Sequence, residues 1–467
     1  MSKDRLTAYI RRSSLLPFFF FTVAFIESVW ILRSHGFYYI DEGAHYLYSR
    51  FVLKSLATTV ETWHRPGRLW LFALPAQFGH TVTMFFSLAI FLLVLYFTYR
   101  IAVLKKIKHA EWVVLFTGLQ PVLFDISYAC LAEAPAALVI VISYWLHLKG
   151  ERGWSLLIAS LVFLFRFEMY AFALLLFILH TGKKEWRLLP LVLVGPALWI
   201  GSSAFISGDV FSFFKEWTHF SDLGKFIPGV PVTHYLEHMQ TIFGFLQVAC
   251  FCLGVMFITR ARRHSDFAFL YATIALCIIV NTLAGAEVFH WTASIGELRY
   301  IAVVGPFVGI ISVYGFSEML EKVRPSRMRI LFASLAFVIL VVNCIATTHP
   351  RRWAPYDQLV IEMTHEARTK YEHLTILSNN WVVPYVMDVP PTGGDLYAKL
   401  NKSTLAHFQE CLILWDPFYS QSLFSQTELS KEEMLQEDGV EVLEKRLYGN
   451  AEYLLLYRHN RKIALAE

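Results

Sequence analysis

Two adjacent carboxylates, Asp41 and Glu42, lie eight residues beyond the end of the first long apolar segment of this sequence. An ionised carboxylate can take the proton of an attacking hydroxyl group as a general base. Two neighbouring carboxylates can also share a divalent metal ion, because such ions prefer oxygen ligands. A third interpretation is structural, since acidic residues in the first turn of a helix are stabilised by the helix dipole. The pair is the first candidate for catalysis, with Asp41 as the base.

Cationic side chains that could hold an anion occur in two stretches of the sequence. Arg299 precedes an apolar segment, and Arg65 and Arg68 lie among tryptophans between residues 61 and 70. Guanidinium groups match phosphate in charge and geometry. The candidate phosphate ligands are Arg299, Arg65, Arg68 and His290. An aromatic belt with arginines that reach to lipid headgroups is the alternative interpretation of residues 61–70.

Other polar side chains lie beside these groups or at predicted turns between apolar segments, where a substrate could contact them. The candidate substrate-binding residues are His64, Glu133, Arg166, Glu168 and Glu297. Charges at membrane depth are costly and are usually functional or paired. Arg166 and Glu168 could instead pair with each other across their turn, and Glu133 could be an ordinary interfacial carboxylate.

The composition places these side chains in a membrane protein. Of the 467 residues, 56% are hydrophobic and only 17% are charged, whereas soluble proteins average about 45–50% and about 25%. The apolar excess is concentrated in runs of about 20 residues, the length that spans a hydrocarbon core of ~30 Å. This pattern excludes a soluble enzyme, a disordered tail and a nucleic-acid binder. The six scattered cysteines predict neither a disulfide framework nor a zinc site.

The apolar runs predict an all-α polytopic membrane domain of about eleven spans over residues 1–347. The spans lie near 15–32, 81–99, 112–126, 130–148, 154–166, 168–181, 188–206, 241–259, 266–285, 300–317 and 329–347. Six short loops on one face hold 20 of the 41 lysines and arginines, and the loops on the other face hold nine. The positive-inside rule therefore predicts a cytoplasmic N-terminus. An odd number of spans places the C-terminal tail outside, in a periplasm or an organelle lumen.

The predicted outer face carries two large loops, 33–80 and 207–240, and all the candidate site residues. Within the first loop, Ala44–Leu56 has the amphipathic spacing of a helix that lies in the membrane interface. Residues 348–467 predict a small soluble α/β domain, with strands near 374–377, 411–415 and 453–457 and a helix near 355–371. We expect Arg299 to lie within reach of Asp41 and Glu42.

This arrangement resembles the GT-C superfamily, which comprises polytopic glycosyltransferases that use polyprenyl-phosphate sugars. An N-terminal span, an Asp-Glu pair and a horizontal amphipathic helix follow one another in the same order. Two stretches resemble motifs of the mannosyltransferases of lipid-linked oligosaccharide and GPI-anchor synthesis: Thr62-Trp63…Arg65-Pro66…Arg68…Pro75 and Glu297-Leu298-Arg299-Tyr300…Pro306. Ile40, His64 and Ile295-Gly296 depart from those motifs. Protein O-mannosyltransferases and the aminoarabinose or arabinofuranose transferases share the architecture.

The resemblance implies inverting transfer of a sugar, with mannose as one candidate, from a polyprenyl-phosphate carrier to a hydroxyl acceptor at the outer or luminal face. Asp41 would be the base, Glu42 would orient the acceptor, and Arg299 with its cationic neighbours would hold the phosphate. No cofactor is implied, and a divalent metal at Asp41 and Glu42 is the minor alternative. The partners would be the donor lipid, a glycan, lipid or protein acceptor and membrane lipids, with no nucleic acid.

Two other functions remain alternatives at this point. A transporter or flippase of lipid-linked sugars would need polar residues at mid-span on several helices, and the sequence offers few, chiefly Gln120 and Asn281. A receptor or scaffold would act through the C-terminal domain. The predicted location is a bacterial plasma membrane with the active site outside, or alternatively the membrane of the endoplasmic reticulum with a luminal site.

Overall fold

A computed structural model of the chain describes residues 15–54, 56–181, 186–216, 218, 229–285, 296–420, 430–437 and 439–459. The α-helices of these residues up to 207 are α1 (Leu15–Arg33), α2 (Ile40–Arg50), α3 (Pro66–Ala76), α4 (His80–Leu104), α5 (Val113–Gly118), α6 (Pro121–Ser127), α7 (Glu133–Lys149), α8 (Arg152–Ser160), α9 (Tyr170–Thr181), α10 (Leu189–Val192) and α11 (Val194–Ser207). Those that follow are α12 (His234–Glu237), α13 (Met239–Phe243), α14 (Phe245–Arg260), α15 (His264–Gly285), α16 (Arg299–Ala302), α17 (Gly305–Lys322), α18 (Ser326–Thr347), α19 (Pro355–Lys370), α20 (Val382–Met387), α21 (Lys402–His407) and α22 (Lys431–Gln436). Short 3₁₀ helices lie at Val52–Lys54, Leu56–Val60, Ala110–Trp112, Leu161–Leu164, Phe167–Met169 and Trp186–Leu188.

The chain divides into two compact units, and the second is discontinuous in sequence. The membrane unit comprises residues 1–34, 59–71 and 78–351. The C-terminal unit comprises residues 352–467 together with 35–58 and 72–77. Helix α2, which carries Asp41 and Glu42, therefore folds with the C-terminal part of the chain.

Long apolar helices make this a membrane protein. Among the described residues, α1, α4, α15 and α18 are long and apolar enough to cross a bilayer, and the bent pair Trp186–Val192 and Val194–Ser207 makes a fifth candidate. Such helices are apolar all round, which suits contact with lipid. Their exposed side chains include large apolar residues such as Phe21 and Phe205, the latter 89% exposed.

The expected count of eleven spans is not confirmed. Several of the segments are shorter apolar helices, such as Arg152–Leu164, Phe167–His180 and Phe245–Arg260. The segment 112–126 is broken into α5 and α6, because Pro121 starts a new helix and the residue before a proline is held out of the helical region. The Gln120 amide at this break donates to the carbonyl oxygens of Phe116 at 3.0 Å and Gly305 at 2.9 Å. Apolar run length alone does not reveal such breaks.

Two glycines bring α14 and α17 of the membrane unit into close contact. A β-carbon on Gly254 would lie 2.2 Å from the carbonyl oxygen of Ile311, and one on Gly315 would lie 2.2 Å from that of Cys250. Small residues permit such close helix approach in membranes. This packing holds α17, the helix that follows Arg299 and the short helix α16.

The C-terminal unit contains a five-stranded sheet with the order β2-β1-β3-β5-β4. The strands are β1 (Ile376–Leu377), β2 (Tyr397–Ala398), β3 (Glu410–Trp415), β4 (Val440–Tyr448) and β5 (Ala451–His459). The first three are parallel, and β3, β5 and β4 are antiparallel. The expected helix near 355–371 and the strands near 374–377, 411–415 and 453–457 are confirmed as α19, β1, β3 and β5. The prediction missed β2, which has two residues, and β4, a charged edge strand.

The amphipathic helix expected at residues 44–56 begins earlier and is shorter. Helix α2 starts at Ile40, so Asp41 and Glu42 lie inside its first turn, where the helix dipole favours acidic side chains. The helix ends at Arg50, where the Phe51 amide donates to the carbonyl oxygen of Leu47 at 2.9 Å. The chain then continues as the two short 3₁₀ helices that begin at Val52.

The predicted orientation in the membrane gives a direct labelling experiment. In a cysteine-free background, a membrane-impermeant maleimide added from outside should label Asp395→Cys, an exposed position in the predicted outer tail. It should not label Arg262→Cys, an exposed position in a predicted cytoplasmic loop. Detergent permeabilisation should then make Arg262→Cys reactive. Outside labelling of Arg262→Cys alone would reverse the orientation.

Two buried carboxyl groups make the stability of the C-terminal unit depend on pH. Burial, reinforced by neighbouring Asp416, raises the pKa of Asp357 to about 7, and burial raises that of Asp416 to about 6. Because the folded-state pKa lies above the unfolded value, these groups stabilise the folded unit at low pH. That contribution is lost as the pH rises from about 4 through about 7.

We therefore expect Asp357→Asn to stabilise the C-terminal unit at pH 8, by about 2–4 kcal/mol since each pKa unit is ~1.4 kcal/mol. Asparagine has no charge to bury, so the variant should lose most of the difference in thermal stability between pH 5 and pH 8. Thermal unfolding of the full chain at both pH values measures this. Asp395→Asn, at an exposed position, is the control. A wild-type protein equally stable at both pH values would contradict the prediction.

Candidate active site

A cluster of charged side chains lies in the membrane unit, and its central members are buried. Its centre is Arg166, which is 1% exposed. The guanidinium Nη1 of Arg166 donates to Glu133 Oε1 at 2.6 Å, and its Nε donates to Glu168 Oε1 at 2.6 Å. Arg299, 4% exposed, places its Nε 2.9 Å from Glu297 Oε2 and 3.6 Å from Glu133 Oε1. Glu133 thus joins the two arginines, although these three residues are far apart in sequence.

Breaks between helices position these side chains. Glu133 is the first residue of α7 and Arg299 is the first residue of α16. Arg166 has an extended backbone between two 3₁₀ helices, and Glu168 lies in the second of them. A break between helices leaves backbone polar groups without helical partners, and inside a membrane such groups must face the protein interior. Charged side chains in membrane segments face the interior as well. The breaks at these positions therefore suit the charged side chains that they carry.

Two more arginines extend the cluster. Arg65 places its Nη2 3.9 Å from Glu168 Oε1. Arg68 is fully buried and donates to the carbonyl oxygen of His64, with its Nε at 3.1 Å. Arg68 also interacts electrostatically with Arg65 and Glu133. We refer to the following seven side chains as the arginine–glutamate cluster: Arg65, Arg68, Arg166, Arg299, Glu133, Glu168 and Glu297.

The arginine–glutamate cluster carries an excess of positive charge. Four guanidinium groups face three carboxylates, so the seven side chains have a net charge of +1 when all are ionised. Buried charges are costly unless they are paired. The buried Nε of Arg65 has no hydrogen-bond acceptor among the described residues. These features favour binding of an anion.

Arg65 also has a strained backbone. Its φ angle is +57°, in the left-handed region, which is costly for a residue with a side chain. The following residue, Pro66, restricts Arg65 further. Strained residues of this kind are concentrated at functional sites, where the surrounding structure holds them. The strain therefore supports a functional position for Arg65.

Glu216, in the predicted outer loop 207–240, binds the chain segment that leads to Arg65. Glu216 Oε1 accepts from the Thr62 amide at 2.9 Å. Burial raises the pKa of Glu216 to about 7, and the nearby carboxylate of Glu61 contributes. Glu61 Oε2 in turn lies 3.1 Å from His64 Nε2. His64, a candidate substrate-binding residue, is buried beside the cluster rather than exposed.

Glu216 and Tyr300 were not predicted as site residues. The Arg166 guanidinium lies 4.3 Å from the centre of the Tyr300 ring, and that of Arg299 lies 5.6 Å away. An aromatic face beside a cation is attractive by 0.5 to about 2 kcal/mol. The adjacency of Tyr300 to Arg299 was the available signal; Glu216 had none, since its partner is 154 residues distant.

The carboxylate pair belongs to the C-terminal unit. Asp41 and Glu42 lie in the first turn of α2. Glu42 is fully buried, and its Oε2 accepts from the Tyr38 amide at 2.5 Å. Asp41 is only half-buried, so it is the more accessible of the two. No group of three or more metal-binding side chains occurs among the described residues, and His290 lies outside them.

Comparison with known proteins gives a fold and no sequence family. No family model and no curated protein matches the sequence. ArnT from Cupriavidus metallidurans bound to undecaprenyl phosphate superposes with a TM-score of 0.60 at 12% identity, over 94% of this chain and 97% of that chain. The same protein in the apo state gives 0.56 at 11% identity, over 95% and 98%. The chain shares the fold of ArnT.

At 11–12% identity this likeness shows the fold alone. It does not support the mannosyltransferase type. The ArnT fold extends over both the membrane helices and the C-terminal part of this chain, because the match covers nearly its whole length.

Proposed function

We propose that the protein transfers a sugar from a polyprenyl-phosphate carrier to a hydroxyl acceptor. The observation that carries the proposal is the arginine–glutamate cluster, in which four arginines from separate segments of a membrane unit come together and three of them are buried. A phosphate ester at the end of a lipid offers these cations a negative charge and has a tail for which the surrounding membrane is a suitable solvent. The ArnT structure with bound undecaprenyl phosphate supports this ligand class by its fold.

In the proposed reaction, Asp41 accepts the proton of the acceptor hydroxyl as its oxygen attacks the anomeric carbon. The new carbon–oxygen bond forms as the bond from that carbon to the phosphate oxygen breaks. The electron pair leaves with the polyprenyl phosphate, whose charge the arginines stabilise. Attack from the side opposite the phosphate inverts the anomeric carbon. Glu42, tied to the backbone at Tyr38, orients the acceptor.

The cluster and the carboxylate pair have separate roles in this proposal. Arg299, Arg65 and Arg68 bind the donor phosphate, as His290 is also expected to do. Arg166 is ion-paired with Glu133 and Glu168, so we assign it to holding these two carboxylates and the cluster in place. That Arg299 lies within reach of Asp41 stays a prediction, as do a metal-free mechanism and an active site on the outer or luminal face.

The test is sugar transfer by the purified full chain in lipid vesicles. The donors are undecaprenyl-phosphate hexoses and pentoses, with mannose among them, each carrying a radiolabelled sugar. We expect one donor to release its label to a hydroxyl acceptor, with loss of activity in Arg299→Gln. Arg263→Gln is the matched control, because Arg263 pairs with Asp266 in a predicted cytoplasmic loop.

A flippase would give a different result in the same vesicles. It would move the labelled lipid from one leaflet to the other and leave the bond between sugar and phosphate intact. That outcome, or the failure of undecaprenyl phosphate to bind, would reject the transferase proposal.

A further inference from the structure

We infer that the part of the C-terminal unit that follows residue 351 supports catalysis by positioning helix α2. Its residues Trp381 and Asp388 fix α2 and thereby the carboxylates of Asp41 and Glu42. The inference rests on the proposed role of Asp41 and Glu42. It assigns positioning roles to Gly43, Arg50, Trp381 and Asp388, which belong to the same C-terminal unit as α2.

The first anchor contact is next to the carboxylates. Gly43 packs against the indole ring of Trp381 so closely that a β-carbon at position 43 would lie 2.0 Å from ring atom Cζ3. Real β-carbons never approach another atom to this distance, so only glycine fits without a shift of the helix or the ring. The residue that follows Glu42 is therefore fixed by a side chain 338 positions further along the chain.

The second anchor contact is at the other end of α2. Arg50 Nε donates to Asp388 Oδ1 at 2.7 Å, and Arg50 Nη2 donates to Asp388 Oδ2 at 2.8 Å. This bidentate geometry fixes direction as well as distance. The Asp388 carboxylate is 61% exposed, but bidentate contact with an arginine is the geometry in which an exposed ion pair does contribute. The pair is therefore suited to fixing the orientation of α2.

Aromatic rings fill the space between the two anchor contacts. The Phe37 ring lies 5.2 Å from that of Trp381 and 5.1 Å from that of Tyr385, centre to centre. Tyr46, on α2 itself, lies 6.1 Å from Tyr385, and Trp353 stacks on Trp381 at 5.8 Å. Edge-to-face and stacked rings at these distances pack rigidly and with a defined geometry.

The anchor residues are fixed to the sheet. Asn380 and Trp381 lie in the loop that follows the carboxyl end of β1. The indole nitrogen of Trp381 donates to the Tyr419 hydroxyl at 2.9 Å. Asn380 Nδ2 lies 3.4 Å from Asp416 Oδ2, at the carboxyl end of β3. The chain runs from β1 to β2 on one side and returns to β3 on the other, so this point is the topological switch of the sheet. Open α/β sheets usually bind ligands at this point. In this protein the point carries Trp381, against which α2 packs.

Rigid support of this kind matters because catalysis depends on placement. A misplacement of about 1 Å at a reacting group costs about 10²-fold in rate. Supporting contacts that fix a catalytic side chain to within ~0.5 Å therefore affect turnover more than substrate binding. The expected signature of the anchor contacts is a lower kcat with an unchanged KM for the donor.

The test compares Gly43→Ala and Asp388→Ala with matched controls in the full chain in vesicles. Gly394→Ala is the control for the glycine, since no atom lies within 4 Å of its added β-carbon. Glu362→Ala is the control for the ion pair, since Glu362 makes an exposed bridge to Arg446 at 3.0 Å. We expect kcat to fall at least tenfold in both anchor variants, with the donor KM within twofold of wild type and both controls unchanged. Asp388→Glu, which keeps the carboxylate, should recover part of the loss.

Hydrogen–deuterium exchange supplies a readout that does not depend on activity. Amide exchange over residues 40–50 should be faster in Asp388→Ala than in wild type, while the C-terminal sheet keeps its protection. If Gly43→Ala does not fold, Asp388→Ala decides the question alone. Wild-type kcat and unchanged exchange in Asp388→Ala would overturn the inference. A wild-type protein that transfers no sugar would instead reject the proposed function, and the exchange experiment would still test the anchoring of α2.

Discussion

Asp41→Asn should lower the rate of sugar transfer by ~10²–10⁴-fold, the usual contribution of general-base catalysis. Asparagine keeps the size of the side chain and most of its hydrogen bonding, but it has no basic carboxylate oxygen to take the acceptor proton. Because α2 is held at Gly43 and Arg50, the variant should remain folded and should bind undecaprenyl phosphate as wild type does. Single-turnover transfer in vesicles measures the chemical step directly.

Substitution of the neighbouring Glu42 distinguishes a general-base role of Asp41 from a metal site that the two carboxylates share. Glu42→Gln should be milder than Asp41→Asn if Glu42 only orients the acceptor. Two variants of equal inactivity, together with inhibition by a chelator, would instead show that the pair shares a divalent ion. If Asp41→Asn has near-normal turnover, Asp41 is not the base. Its role would then be that of an acidic residue that stabilises the first turn of α2.

Arg299→Gln should weaken undecaprenyl-phosphate binding by about 10–100-fold, since a hydrogen bond to a charged group is worth about 1.5–3 kcal/mol. The substitution lowers the summed charge of the seven side chains of the arginine–glutamate cluster from +1 to zero and removes one of the cations that would contact the phosphate. Isothermal titration in detergent, with inorganic phosphate as a headgroup probe, measures the loss.

Opposite changes in charge distinguish ligand binding from a purely structural cluster. Glu297→Gln removes the carboxylate 2.9 Å from Arg299 and raises the net charge to +2, so it should leave phosphate affinity unchanged or strengthen it. A structural cluster would instead lose stability with either change, because breaking a buried pair costs about 3–5 kcal/mol. Equal losses of affinity in both variants would contradict the donor-binding role.

The fold class could be predicted because helices that contact lipid must be apolar, and this requirement is visible in the amino-acid sequence. Long apolar runs specify helices wherever no water is present to satisfy the backbone, and α1, α4, α15 and α18 were predicted from that rule. The break at Pro121 was missed, since a run of apolar residues has the same appearance whether it is one helix or two. The interruption around Arg166 was expected, as the turn between the apolar runs 154–166 and 168–181. Strands β1, β3 and β5 were predicted from buried apolar runs, whereas the charged edge strand β4 lacked that signal.

The site was predictable only in part. The costliness of charge near lipid singled out Glu133, Arg166 and Arg299, and the structure brings these three together. The contacts that hold Asp41 and Glu42 could not be read from the sequence, because Arg50 and Asp388 are 338 positions apart. Local patterns report which face of an element is apolar, but they carry no information on which distant residue packs against it.

The discontinuity of the C-terminal unit limits how this protein can be recombined. Residues 35–58 and 72–77 are encoded ahead of most of the membrane helices, yet they complete a unit whose remainder begins at residue 352. A crossover between two related genes at one point near residue 350 would therefore pair α2 of one parent with Trp381 and Asp388 of the other. Exchange of the whole unit needs residues 35–58, 72–77 and 352–467 from the same parent at once. These three segments are therefore expected to be inherited together and to change together.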